Sequence, residues 1–199
     1  MKQIIMKTYC LLLLTIISVA LTACSDKTEY QSSIPAPQIK HLIIETGGNN
    51  IVVKQGTSSD ITASIAGYDG DLLIAEGNTA RLKIPMPKAG INFSTPAPLS
   101  ISIPEDSLDS LTLLSEAGHI YLENITVAEV NATTEYGNIF VSGLSGTVSA
   151  DTQMGNIISD SPLAAHIQEG KSYHGTMGDS EVKANITLST NVGDIEFTK

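Results

Sequence analysis

The most constraining feature of the chain is a glycine that returns at a nearly fixed interval. Gly118, Gly137, Gly155, Gly175 and Gly193 are separated by 19, 18, 20 and 18 residues. Five windows align around them without gaps: LTLLSEAGHI (111–120), VNATTEYGNI (130–139), VSADTQMGNI (148–157), QEGKSYHGTM (168–177) and ITLSTNVGDI (186–195). A degenerate sixth copy, LIIETGGNNI (42–51), carries Asn49 in the glycine slot. Asn is one of the few other residues that tolerate a left-handed backbone.

The columns of this alignment give the local structure. Seven residues before the glycine stand Leu111, Val130, Val148, Gln168 and Ile186, and three before it always stands a hydroxyl, in Ser115, Thr134, Thr152, Ser172 and Thr190. Positions −7, −5 and −3 have one parity and point to one face of a strand. The aliphatic at +2 (Ile120, Ile139, Ile157, Met177, Ile195) has the other parity. The chain must therefore turn between them, so each repeat is a strand, a corner at the glycine and a second strand.

A short period of two strands suits stacked coils, in which each repeat buries its apolar face only against its neighbours. The expected fold is all-β, a single-stranded β-solenoid (β-helix) with rungs of about 18–20 residues. Stacking in chain order would place Ile139 against Ile157 and pass hydroxyl bonds from Thr to Thr. Residues 39–104 hold the degenerate copy and alternating segments near 51–55, 60–66, 71–76, 79–84 and 98–103, read as an N-terminal β cap with the first rungs. Glu76-Gly77-Asn78-Thr79 reads as a hairpin turn. The regular repeats fill 105–199.

The first 38 residues read differently. Lys2 and Lys7 precede a 13-residue apolar run from Tyr9 to Leu21, the length of an export-signal core and short for a membrane span. Leu21-Thr22-Ala23-Cys24 follows. This resembles the lipobox of bacterial lipoproteins, which implies a signal peptide over 1–23, cleavage before Cys24 and its acylation, palmitate included. Ser25 after that cysteine implies outer-membrane sorting by the same resemblance. Residues 24–38, with Pro35 and Pro37, read as the lipidated Cys and a flexible tether. The mature domain would then hold no other cysteine, since Cys10 leaves with the signal.

The repeat style resembles a bacterial β-strand-repeat family of adhesin-like domains of unknown function. The resemblance rests on corners ending G-[N/D]-I, on alternating Thr/Ser and aliphatics, and on the lead-in LSISIPEDSLDSLTLLSEAGHIYL. Adhesin-head domains named for Gly-Ile-Asn share it. It covers roughly 40–199 and implies an adhesin-like interaction role. The fourth repeat departs from the style, with Gln168 and Gly170 in aliphatic columns and Thr176 where Asn or Asp is expected.

Chemistry is sparse. The formal net charge is −10, which excludes a nucleic-acid partner because a polyanion needs a positive footprint. Residues 105–199 hold 14 acids and three lysines, whereas 25–104 hold seven acids and six bases. Carbohydrate-cleaving β-helices need convergent carboxylates. Glu116 and Glu135 share the column two before the glycine, but it continues through Gln153, Tyr173 and Asn191 and reads as a solvated face. His41, His119, His166 and His174 form no metal-ligand spacing. The expectation is a non-catalytic, lipid-anchored module of the cell envelope. It would need no cofactor or metal and would have membrane contact through its lipid and an envelope protein or glycan as partner. A carbohydrate-active β-helix enzyme and a ligand-free spacer are the alternatives. The candidate binding residues are His166, Tyr173 and His174 in the irregular fourth repeat. The five glycines are the expected structural corners.

Overall fold

The computed structural model describes residues 29–68, 72–86, 96–160, 167–168, 171–178 and 184–198. The leader, Cys24 and His166 lie outside them. Among the described residues the fold is all-β apart from one short 3-10 turn. Seventeen strands form two mixed sheets of eight and nine strands. The first seven are β1 (Glu29–Pro35), β2 (His41–Thr46), β3 (Ile51–Gly56), β4 (Asp60–Ala66), β5 (Ile74–Glu76), β6 (Thr79–Ile84) and β7 (Leu99–Pro104). The repeats supply β8 (Ser110–Ala117), β9 (Ile120–Glu123), β10 (Glu129–Tyr136), β11 (Ile139–Ser142), β12 (Gly146–Met154), β13 (Ile157–Ser159), β14 (Ile167–Gln168), β15 (Ser172–Met177), β16 (Asn185–Val192) and β17 (Ile195–Thr198).

Each regular repeat gives its long strand to one sheet and, past the corner, its short strand to the other. The inward parity is as the columns require. Leu111, Leu113 and Ser115 are buried on β8, as are Val130, Ala132 and Thr134 on β10, with Ile120 and Ile139 buried beyond their corners. One continuous aliphatic core runs between the sheets. Each such side chain contributes roughly 1.5–3 kcal/mol on burial.

The stacking order is not the chain order. The nine-stranded sheet runs β14-β15-β12-β16-β10-β8-β2-β6-β5, and the other runs β1-β4-β7-β3-β9-β11-β17-β13. The last repeat, β16/β17, is inserted between β10/β11 and β12/β13 and pairs in parallel with both. Ile195 stands opposite Ile139 on one side and Ile157 on the other, so those two are not neighbours. At the opposite end β6/β7 lies outside β2/β3, and the chain then passes β2/β3 to lay down β8/β9. A strictly chain-ordered coil is thereby corrected to a stack with one exchange at each end.

The fourth repeat explains the exchange. Lacking aliphatics at −7 and −5, it cannot supply a unit with two buried strands. Instead β15 runs antiparallel to β12, from Gly146 opposite Met177 to Asp151 opposite Ser172. Gly175 is therefore mid-strand opposite Val148 and not a corner. The complete C-terminal repeat takes the interior position, where a unit must satisfy a neighbour on both sides.

The expected tether is also shortened. Residues 29–35 pair antiparallel with β4 along their whole length, Glu29 opposite Ala66 and Pro35 opposite Asp60. Ala36–Gln38 form a 3-10 turn with Ala36 buried. Residues 29–38 thus belong to the folded body.

Candidate interaction surface at the glycine corners

Corners from five units stack in one line: Asn49, Gly118, Gly137, Gly193 and Gly155. A Cβ on each glycine would land on the main-chain carbonyl of the preceding corner, Gly118 on Asn49, Gly137 on Gly118, Gly193 on Gly137 and Gly155 on Gly193. The same carbonyls receive the buried hydroxyls. Thr134 donates to Gly118 O at 3.1 Å, Thr190 to Gly137 O at 2.9 Å and Thr152 to Gly193 O at 2.8 Å. Among the described residues, a hydroxyl-to-hydroxyl bond in this column is seen only at the first step, from Thr46 to Ser115 at 3.4 Å. Elsewhere the hydroxyl and the glycine of one unit clasp the corner carbonyl of its neighbour.

A second ladder occupies the residue after each corner. Asn50 Oδ1 accepts from His119 N, His119 Nδ1 from Asn138 N, Asn138 Oδ1 from Asp194 N, and Asp194 Oδ1 from Asn156 N, at 2.7–3.0 Å. The G-[N/D] signature is thus a chain of side-chain acceptors for main-chain donors. Because Nδ1 of His119 accepts, its proton sits on Nε2. The His119 ring meets Tyr121 and Phe140 edge-on, and those two stack 4.7 Å apart. These rings form an aromatic strut across neighbouring units.

The residue before each corner points outward. Register places Ala117, Tyr136, Val192 and Met154 side by side. Tyr136, Val192 and Met154 are 61 %, 38 % and 68 % exposed. Three large apolar side chains in a row on open surface form a ridge about 10 Å long at the ladder spacing. Such a contiguous apolar stretch marks an interaction site more often than scattered exposure does. Alongside it runs the column Glu116, Glu135, Asn191 and Gln153, exposed and acidic at one end.

Beside that acidic end lies a hollow of about 310 Å³, whose lining includes Glu45, Lys83, Leu114, Glu116, Thr133 and Glu135. Lys83 Nζ bonds Glu45 Oε2 at 2.6 Å. That hydrogen bond and charge, with a smaller push from Glu116, hold the Lys83 ammonium above its usual range. Three glutamates against one lysine leave the hollow negative. Among the described residues no group of three His, Cys, Asp or Glu is placed to hold a metal.

Of the candidate binding residues, His166 lies outside the described residues, and Tyr173 and His174 face opposite sides of one strand. Tyr173 is 2 % exposed, its ring against Phe197 at 6.1 Å and its hydroxyl donating to Thr176 O at 3.3 Å. The ring lies where a Cβ of Gly175 would be, so the glycine makes room for it. Burial pushes the Tyr173 phenol up. Tyr173 therefore closes the core beneath the edge hairpin and presents no exposed ring. His174, on the opposite face of the same strand, is exposed opposite Ser149.

Residues 39–199 match the family model of the Toastrack DUF4097 domain. The chain belongs to that family. No curated protein sequence matches it. Among solved structures, a candidate cell adhesion protein from Clostridium sporogenes superposes with a TM-score of 0.56 at 12 % identity, over 86 % of this chain and 98 % of that one. A candidate adhesin from Bacteroides fragilis aligns over 86 % and 97 % at 14 % identity, with a TM-score of 0.26. The Clostridium likeness is one of fold, and the Toastrack assignment agrees with the adhesin-like resemblance of the repeats.

Proposed function

We propose that this Toastrack protein is a non-catalytic, adhesin-like interaction module, lipid-anchored at Cys24 in the cell envelope with an outer-membrane address. Its stacked units act as the coils of a solenoid with exchanged ends. The observation that carries this reading is the Tyr136–Val192–Met154 ridge, with the acidic Glu116–Glu135 pair beside it. Aligned apolar side chains on rigid strands cost little ordering entropy on binding. Their chemistry favours a protein partner with apolar and basic groups over a glycan. The cell-adhesion description of the Clostridium structure supports the same class of role. The test is binding of the mature full-length protein to fractionated envelope proteins and to a glycan array, with wild type and a Tyr136→Ser, Met154→Ser double variant. Loss of at least tenfold in protein binding, with thermal stability kept, is the expected result. Polysaccharide turnover abolished by one Asp or Glu substitution would overturn it.

A further inference from the structure

We infer that the β1/β5 end of the stack is a membrane-contact surface, so that the module stands upright with its β13/β14 end away from the lipid. The inference rests on the anchor reading of Cys24 and adds to it a defined surface and orientation. Three observations carry it. First, only residues 25–28 separate Cys24 from Glu29, where β1 begins. At about 3.3–3.6 Å per residue that leash reaches less than ~20 Å even when fully drawn out. Second, β1 is the outermost strand of its sheet, and β5 is the outermost strand of the other sheet at the same end. A lipid at Cys24 therefore holds this end, and not the glycine-corner ridge, against the headgroups.

Third, charge is graded along the stack. The described residues of 29–109 carry seven acids and four bases, whereas those of 110–198 carry eight acids and Lys171 alone. Each of the four bases near the anchor faces a carboxylate: Lys40 with Asp109, Lys54 with Glu123, Arg81 with Glu76 and Lys83 with Glu45. That end holds every described base except Lys171, is less negative than the rest of the stack, and can approach anionic lipid more readily. The other end is repelled, over a Debye length of about 10 Å at 0.1 M salt. From β1 to β13 there are seven ladder spacings of about 4.8 Å, which lifts the far strands roughly 30 Å above β1. Exposed Ile74 on β5, at the outer edge of its sheet, adds an apolar group at the contact end.

The test uses the full acylated chain in vesicles of phosphatidylethanolamine and phosphatidylglycerol doped with a nickel-chelating lipid. Gln31→Cys on β1 and Asp151→Cys on β12 each receive a nitroxide, the native thiol being blocked by acylation. Intact mass reports whether Cys24 carries its acyl groups. The expected result is strong relaxation of the label at 31 and none at 151. Inserting ten Gly/Ser residues between residues 28 and 29 should weaken the effect at 31 several-fold. Equal relaxation at both positions in an acylated protein would overturn the upright orientation while leaving the anchor intact. An unacylated, normally cleaved Cys24 would overturn the anchor reading itself, and the orientation with it.

Discussion

Thr190 donates its hydroxyl to the carbonyl oxygen of Gly137 at 2.9 Å, across 53 residues of chain. Both belong to corners, yet their repeats are not consecutive. Two further repeats lie between them in sequence, and none lies between them in space. The bond is a direct mark of the inserted C-terminal unit. Thr190→Val keeps the shape and removes the donor, which should cost about 1–3 kcal/mol as buried polar groups lose their partner. Thr190→Ser should recover most of it. Urea denaturation of the three proteins measures the difference.

Gly193 has φ of +148°, and a Cβ there would land on the Gly137 carbonyl. Gly193→Ala therefore meets main chain that cannot give way, and a loss above ~2 kcal/mol is expected. Gly77, in the β5–β6 hairpin, has φ of +63° with open space around it. Gly77→Ala should cost only about 1 kcal/mol, the left-handed backbone penalty alone. Similar losses at both sites in thermal denaturation would contradict the corner packing.

Ile195 stands between Ile139 and Ile157. In double-mutant cycles with alanine, Ile139 and Ile195 should couple by at least ~0.5 kcal/mol, while Ile139 and Ile157 should add. Chain-order stacking requires the reverse.

Tyr173 carries a phenol that burial holds above its ordinary range. A folded-state value above the unfolded one means stability that is full below the unfolded pKa and lost as pH rises through the folded one. The absorbance titration of the tyrosines should therefore show one group ionising last, together with alkaline unfolding. Tyr173→Phe should remove that late step and lose the bond to Thr176 O. A Tyr173 that titrates with the exposed tyrosines would place it on the surface.

The glycine period, the inward columns, the hydroxyl column and the Glu76–Thr79 hairpin were all legible, because each follows from strand parity or turn chemistry within one repeat. Neighbour order was not. Repeats with interchangeable ladders, such as Ile139, Ile157 and Ile195, present equivalent partners, so their columns cannot rank who stacks on whom. The fourth repeat announced itself through Gln168 and Gly170, but a broken pattern fits a ligand loop as well as an edge hairpin. Only the pairing places Tyr173 over Gly175. β1 was hidden by Pro35 and Pro37, although Tyr30, Ser32 and Ile34 alternate as a half-buried strand does. The ridge at the residue before each corner was missed because Ala117, Tyr136, Met154 and Val192 share no residue type. Their common feature is exposure at a bend.

Site-specific photo-crosslinking in living cells tests the interaction surface most directly. A photoreactive phenylalanine analogue replaces Tyr136 or Val192 on the ridge, or Thr187 on the flat face of β16, in the full-length protein. Discrete protein adducts from 136 and 192, absent from 187 and lost when Glu116 and Glu135 are both changed to Lys, are the predicted result. Adducts from 187 alone, or none from the ridge while the protein is abundant and folded, would contradict the account.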